Sequence, residues 1–191
     1  MKRLFLIFLL SSGSLGLLIT ACDFCKDIKP YWLPEKVDLN LLQANRDTIM
    51  ENSVFERDTL LLSIHYNPTF LTATHSSWQN YFTNPVYALK CSPEGYMGIK
   101  QEVVSFELIS NIPFEGIEAG ESLNAKLFDL QGNNFDIEKL NEDLSNENWP
   151  ILNTYFRLIR QEPQEELRNF KLTIQLSSGQ VLESTSSSII W

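Results

Sequence analysis

Alternation of apolar and polar residues is the main pattern in this chain. An apolar residue at every second position is typical of a half-buried β-strand. The pattern predicts strands at residues 37–41, 59–66, 102–110, 155–160, 170–176 and 181–184, with shorter candidates at 86–91 and 187–191. Residues 122–128 fit either a strand or a short helical turn.

Turn-forming sequences separate these strands. Clusters of Gly, Pro, Asn and Ser lie at residues 92–95, 131–134 and 177–180, and the last of these predicts a hairpin. Pro68 is expected to end the strand that starts at residue 59, because proline has no N–H to donate to a neighbouring strand.

One short helix is predicted after Asp136. Asp is a preferred N-cap residue, and Ile137, Leu140 and Leu144 follow it at helical spacing. Together with seven or eight strands, this helix predicts a mainly β fold. We expect an antiparallel β-sandwich of immunoglobulin-like type over residues 37–191, with a small β-barrel as the alternative.

The first 21 residues have the pattern of a signal peptide. Lys2 and Arg3 precede an apolar run at residues 4–10 and a second apolar patch at 15–19. An uncleaved transmembrane helix is the alternative, but the apolar span is at the short limit for crossing a bilayer.

The end of this segment resembles the lipobox of bacterial lipoproteins. The residues are Ile19, Thr20, Ala21 and Cys22. The resemblance implies cleavage between Ala21 and Cys22, with acyl chains on Cys22 that bind membrane lipid. Residues 22–36, rich in charge and proline, are then expected to form a tether.

Three further segments resemble a family of Bacteroidetes lipoproteins of unknown function. These are residues 87–93, 104–114 and the hairpin around 170–179. The resemblance implies a lipid-anchored β-sandwich in the cell envelope, at the outer membrane, and it supplies no catalytic residues. Asp23, Lys26 and Asp27 only partly match the acidic signal for surface export in such proteins, so either membrane face remains open.

Charge and cysteine content limit the partners. The formal net charge of −9 disfavours nucleic acid as a partner, because like charges repel. With Cys22 acylated in an oxidising compartment, Cys25 and Cys91 are predicted to form a disulfide, the alternative being two free thiols. His65 and His75 are not at ligand spacing from a cysteine, so no metal or cofactor is expected.

The sequence contains no motif of a hydrolase, a phosphate-binding loop or a dinucleotide-binding site. No catalytic residue is therefore assigned, and the protein is predicted not to be an enzyme. Both histidines are expected to be structural or exposed. One cluster of residues has oxygen-bearing side chains of the kind that bind calcium: Asp129, Asn133, Asn134, Asp136 and Glu138. Its glycine is not at the position that a calcium-binding loop requires, so the start of a capped helix explains these residues better.

Two further candidate sites remain. Trp78, Tyr81 and Phe82 have helical spacing and could stack on a sugar or anchor a partner protein, or simply close one end of the core. Thr48 and Thr59, each after Asp and before an aliphatic residue, resemble the O-glycan acceptor pattern of exported Bacteroidetes proteins; Thr59 could equally open a strand.

These observations favour a lipid-anchored envelope lipoprotein that is a non-catalytic binding or structural module, with an unidentified envelope protein or glycan as partner. The alternatives are an accessory sugar-binding lipoprotein of a nutrient-uptake system and an envelope hydrolase with an unrecognised site.

Overall fold

The computed structural model describes residues 29–71, 94–145, 150–161 and 166–191. This part of the chain contains eight β-strands, one α-helix and one 3-10 helix. In chain order the elements are β1 (Tyr31–Leu42), β2 (Thr59–Leu71), β3 (Val103–Ser110), the 3-10 helix (Asn124–Lys126), α1 (Ile137–Leu144), β4 (Asn153–Ile159), β5 (Leu167–Arg168), β6 (Phe170–Leu176), β7 (Val181–Thr185) and β8 (Ile189–Ile190).

The strands form two three-stranded antiparallel sheets and a two-stranded ribbon. The first sheet has the order β1-β2-β4, the second has the order β3-β6-β7, and β5 pairs with β8. Taken in sequence order, the six sheet strands correspond to strands A, B and E facing C, F and G of an immunoglobulin domain. The predicted immunoglobulin-like sandwich is therefore confirmed.

The sheets approach each other along β1 and β7 without joining. The Leu39 N–H donates to Ser184 Oγ at 2.9 Å, and Gln180 Nε2 donates to Pro34 O at 3.3 Å. Side chains thus bridge this seam, and among the described strands no backbone ladder pairs β1 with β7. The alternative of a small closed barrel is wrong.

The core lies between the two sheets, because the period-two pattern turns one face of each strand inward. The first sheet contributes Val37, Leu39, Leu41, Leu60, Leu62, Ile64, Tyr66, Phe156 and Leu158, and the second contributes Phe106, Leu108, Phe170, Leu172, Ile174, Leu176 and Leu182.

β1 begins within the stretch whose composition predicted a tether. The Trp32 side chain is fully buried, and its ring centroid lies 5.8 Å from that of Tyr66. The backbone of Trp32 also bonds to Gly98 O at 3.2 Å and to the Lys100 N–H at 3.0 Å. Residues 31–36 are therefore part of the first sheet.

Pro68 does not end β2, contrary to the prediction. The strand continues to Leu71, and Pro68 lies opposite Pro34 of β1, just before a register shift between Pro34 and Lys36. Two prolines that face each other leave neither strand with an unpaired N–H at this point, so the ladder can continue beyond them.

A β-bulge changes the predicted faces of β3. Strict alternation along the strand predicted at 102–110 places Val104 on the same face as Phe106, with Val103 on the other. The register shifts between Val103 and Ser105, so Val103 is buried and Val104 is 53% exposed. A single extra residue reverses the alternation at its own position.

The free edge of β3 is covered by two asparagine side chains. Asn124, in the 3-10 helix that resolves the ambiguity at residues 122–128, accepts from the Leu108 N–H at 3.2 Å and donates to Phe106 O at 2.6 Å. Asn141 of α1 accepts from the Val103 N–H at 2.7 Å and donates to Val103 O at 2.9 Å. Each amide therefore takes the place of a neighbouring strand.

The predicted helix is confirmed with its cap. Asp136 Oδ1 accepts from the Glu138 N–H at 2.9 Å, and Leu140 and Leu144 are buried against the sandwich. Within the described ranges, no helix is both long enough and apolar enough to cross a membrane.

Candidate functional site: an arginine-lined cleft

An open cleft lies beside the start of β2, at one end of the first sheet. Its volume is about 680 Å³. Three of the five arginines in the described residues contribute to its wall. We call it the arginine cleft; it is lined by Ala44, Arg46, Glu56, Arg57, Asp58, Thr59, Leu61, Leu130 and Arg157.

One wall of the arginine cleft is formed by residues 56–58, whose backbone carbonyls accept hydrogen bonds from buried residues of the protein interior. Three consecutive carbonyl oxygens accept buried donors: Glu56 O from Arg160 Nη2 at 2.9 Å, Arg57 O from Trp191 Nε1 at 2.7 Å and Asp58 O from the Arg160 N–H at 2.9 Å. With the backbone held in this way, the three side chains remain exposed at the surface.

The donors behind this wall belong to a buried group of arginine and aromatic side chains. The Trp191 ring stacks on Phe114 at 5.4 Å, and the Arg160 guanidinium lies 5.6 Å from the centroid of Trp191. Arg168 lies 4.8 Å from the centroid of Phe114 and donates to Pro113 O at 3.0 Å. Burial lowers the pKa of Arg168 to about 10, so the side chain remains charged at neutral pH.

Arg157 is fixed on the part of the cleft wall that β4 contributes. It lies across from Leu61 in the pairing of β4 with β2, and its Nε donates to Asp129 O at 3.1 Å. Its backbone also exchanges hydrogen bonds with Phe128, at 2.7 Å from the Arg157 N–H and 3.0 Å to Arg157 O. The backbone of β4 at Arg157 is therefore paired with β2 on one side and with Phe128 on the other, and this pairing fixes the base of the Arg157 side chain.

Arg46 approaches from the turn that follows β1. The turn is closed by the Arg46 N–H, which donates to Gln43 O at 2.8 Å, and Arg46 has a positive φ of 70°. Its guanidinium lies over the ring of Tyr155, 5.2 Å from the centroid. A cation–π contact of this kind orients the side chain and leaves its N–H donors available.

None of the three cleft arginines forms a salt bridge with a described carboxylate. The ion pairs in this part of the chain are Lys139–Asp129 at 2.6 Å and Lys171–Glu183 at 2.8 Å. Glu56 and Asp58 also line the cleft, so its wall carries three guanidinium groups and two carboxylates. The arrangement can donate several charged hydrogen bonds to a ligand and can accept a smaller number.

The outer face of the first sheet continues from the cleft as a polar surface. Asp38, His65 and Asn153 lie in one cross-strand row, and Asn40, Ser63 and Tyr155 lie in the next. His65 Nδ1 is 2.9 Å from Asn153 Oδ1, while Asp38 accepts from Asn67 Nδ2 at 2.7 Å. Within the described ranges, the side-chain hydrogen-bond partner of His65 is thus an amide.

The oxygen-rich cluster near α1 is used for internal hydrogen bonds. Asp129 accepts from the Asn133 N–H at 2.8 Å, from Asn133 Nδ2 at 2.7 Å and from Lys139 Nζ at 2.6 Å. The hydrogen bond from Lys139 is the main cause that holds the pKa of Asp129 well below its usual range. Across the described ranges, no three His, Cys, Asp or Glu side chains are placed to hold a metal ion.

The other predicted site residues have different outcomes. Thr48 is exposed beside the seam of β1 and β7, whereas Thr59 is half-buried, opens β2 and lines the arginine cleft. Their glycosylation stays a prediction. The remaining predicted residues lie outside the described ranges, and so their roles also stay predictions: Ala21, Cys22, Cys25, His75, Trp78, Tyr81, Phe82 and Cys91.

Sequence reasoning missed the arginine cleft. Arg46, Arg57 and Arg157 come from a turn, a loop and a strand, and no short motif connects them. The available signal was weak: Tyr155 and Arg157 lie two residues apart, on the face of a predicted strand opposite Phe156.

Comparison with known proteins gives no family. No protein-family model matches the chain, and no curated protein matches it. A solved structure named "BspA_C_mut" is similar at 9% sequence identity and a TM-score of 0.34. That likeness covers 83% of this chain, which spans about half of the other (47%), and it is too weak to carry an argument about function.

Proposed function

We propose that this protein is a lipid-anchored lipoprotein of the cell envelope whose sandwich domain binds a ligand or partner without transforming it. The observation that carries the binding role is the arginine cleft. Four of its five charged side chains are exposed and the fifth, Arg157, is half-buried, while the backbone of residues 56–58 is held by buried donors. With its backbone already fixed, this wall loses little backbone entropy when a ligand binds, so the ordering cost is confined to the side chains.

The anchor rests on the residues around Cys22. A signal-like segment followed by an aliphatic residue, a small residue, Ala and Cys supports acylation of the thiol. The acidic domain would be repelled by anionic head groups, so acyl chains are the attachment that this chain can use. Two or more chains give stable anchoring, because each buried methylene contributes about 0.8 kcal/mol.

An accessory sugar-binding role is the second candidate. The observation that favours it is the polar outer face of the first sheet, where Tyr155 lies in a row with Asn40 and beside a row that contains Asn153. Amide groups and an aromatic ring are suited to contacts with sugar hydroxyls and ring faces. A glycan array probed with wild-type protein and with Tyr155→Ala tests this role, because specific sugar binding through this face requires loss of signal in the variant.

Metabolic labelling with palmitate tests the anchor. Wild-type protein should incorporate label and fractionate with membranes, whereas Cys22→Ala should incorporate none. Cys25→Ala is the matched control, because it removes a nearby thiol and is expected to leave labelling unchanged. Equal labelling of wild type and Cys22→Ala would show that the lipid is not on Cys22.

A further inference from the structure

We propose that the arginine cleft binds its ligand through an anionic oxygen group of the phosphate, sulfate or carboxylate class, contacted by Arg46, Arg57 and Arg157. This inference rests on the proposed binding role and is independent of the lipid anchor. The three side chains line one cleft, although they come from three separate segments of the chain.

The guanidinium group is chemically matched to such oxygens. Its planar fork can donate two parallel hydrogen bonds to a carboxylate or phosphate, and these charge-assisted bonds are about twice as strong as neutral ones. Among the described residues, Arg57 and Arg46 have no side-chain hydrogen-bond partner, Arg46 has a cation–π contact with Tyr155, and Arg157 donates from Nε only. Within this part of the chain, the terminal nitrogens of all three are therefore not used in hydrogen bonds and can donate to a ligand.

The overall acidity of the chain does not oppose this local preference. The formal net charge is −9, but at physiological salt the Debye length is about 8 Å, so exposed charges beyond that distance are largely screened. An anion within the cleft therefore experiences mainly the lining residues. Among these, three arginines outnumber Glu56 and Asp58.

The two carboxylates also affect selectivity. Glu56 and Asp58 flank Arg57 in the same wall, and their oxygens can accept hydrogen bonds from hydroxyl or amine groups. A ligand with such donors beside its anionic group would satisfy both kinds of side chain. A fully anionic surface would be repelled by the carboxylates. The cleft thus favours a compact anionic group on a polar carrier.

Isothermal titration of the full-length chain in neutral detergent tests the proposal. The probes are pyrophosphate and citrate, with sucrose as the uncharged control. We expect saturable binding of at least one anion, weakened by added salt, and no binding of sucrose. Failure of both anions to bind with a Kd below about 1 mM would overturn the proposal.

Mixed micelles distinguish the source of the anionic group. If phosphatidylglycerol added to the micelles displaces the bound anion, a lipid head group can occupy the cleft. If it does not, the ligand is water-soluble. Both results support the oxyanion site and differ only in its source.

Matched variants locate the binding. Arg57→Gln keeps the backbone carbonyl that Trp191 holds, and we expect roughly 10-fold weaker anion binding, as for loss of one hydrogen bond to a charged group. Lys100→Gln removes the same charge at the opposite end of β1 and should bind within about twofold of wild type. Equal weakening in both variants would mean that net charge alone drives binding and would overturn the proposal.

Arg46→Gln and Arg157→Gln extend the test to the other walls. Wild-type affinity in all three arginine variants would also overturn the proposal. If anion binding fails while a glycan array shows a neutral sugar bound in a Tyr155-dependent way, the oxyanion inference is lost but the binding role is retained. If neither anion nor glycan binds, both are lost.

Discussion

The covered edge of β3 gives the sharpest prediction for folding. The side-chain amide of Asn141 accepts from the Val103 N–H at 2.7 Å and donates to Val103 O at 2.9 Å. Asn141→Asp keeps the size and the acceptor but removes the donor. A carboxylate oxygen then replaces Asn141 Nδ2 and faces the Val103 carbonyl oxygen at the former hydrogen-bond distance of 2.9 Å.

The magnitude follows from the lost contact. A part-buried carbonyl left without its donor costs about 1–3 kcal/mol, a figure that already includes the lost hydrogen bond. A carboxylate in the last turn of α1 also lies at the unfavourable end of the helix dipole, which adds about 0.3–1 kcal/mol. We therefore expect Asn141→Asp to lower the free energy of unfolding by about 1–4 kcal/mol at pH 7, or Tm by about 3–15 °C.

The effect should depend on pH. The introduced carboxyl group is expected to have a raised pKa in the folded state, because its protonated form can donate to Val103 O and its charged form cannot. The folded protein therefore holds the proton more tightly than the unfolded chain does, and the stability deficit should shrink as pH falls towards about 3.

Urea unfolding of wild type and variant at pH 7 and near pH 3, followed by circular dichroism, measures both effects. Asn134→Asp is the matched control, since it introduces the same charge at an exposed position and should change the free energy of unfolding by less than about 0.5 kcal/mol. A loss below that value for Asn141→Asp at pH 7, or a deficit that does not change with pH, would show that this amide does not satisfy the edge of β3.

Three further predictions follow from single residues. Gly98→Ala should cost about 2–5 kcal/mol, because a Cβ there would lie 2.6 Å from a backbone atom at the C-terminal end of α1 and the residue also has a positive φ. Gly179→Ala, also at positive φ but with open space around it, should cost only about 1–2 kcal/mol; similar Tm losses for the two would contradict the clash. Burial raises the pKa of Tyr66 to about 12. Between pH 10 and 12 the unfolded chain therefore loses a proton that the folded chain keeps, and stability should fall by about 3 kcal/mol more in wild type than in Tyr66→Phe; parallel unfolding profiles across that range would refute this. Lys139→Met should raise the pKa of Asp129 towards its usual range, as followed by carboxyl-carbon NMR, and an unchanged titration would show that Lys139 does not set it.

The fold was largely predictable because its signals are local. β6 and β7 and the hairpin between them follow from period-two alternation and a turn sequence, all within a short segment. Errors occurred where a strand departed from regular pairing. At Val104 a bulge reversed the faces, and at Pro68 a facing proline allowed the strand to continue. Both depend on the partner strand, which periodicity along one strand does not reveal.

The candidate site was far less predictable. The wall at Arg57 depends on a hydrogen bond from Trp191, which is 134 positions away in the chain. Arg157 enters the same cleft only because β4 pairs with β2. No spacing rule connects residues that are brought together by sheet register.

The sequence by itself determined the strand periodicity and the capped helix after Asp136. Each of these depends on neighbours within a few residues, and their side-chain preferences act over that distance. Only the tertiary structure decided which strand edges asparagine side chains cover and which arginines share a cleft. Those contacts join residues distant in the chain, and they exist only once sheet pairing and core packing have fixed the backbone.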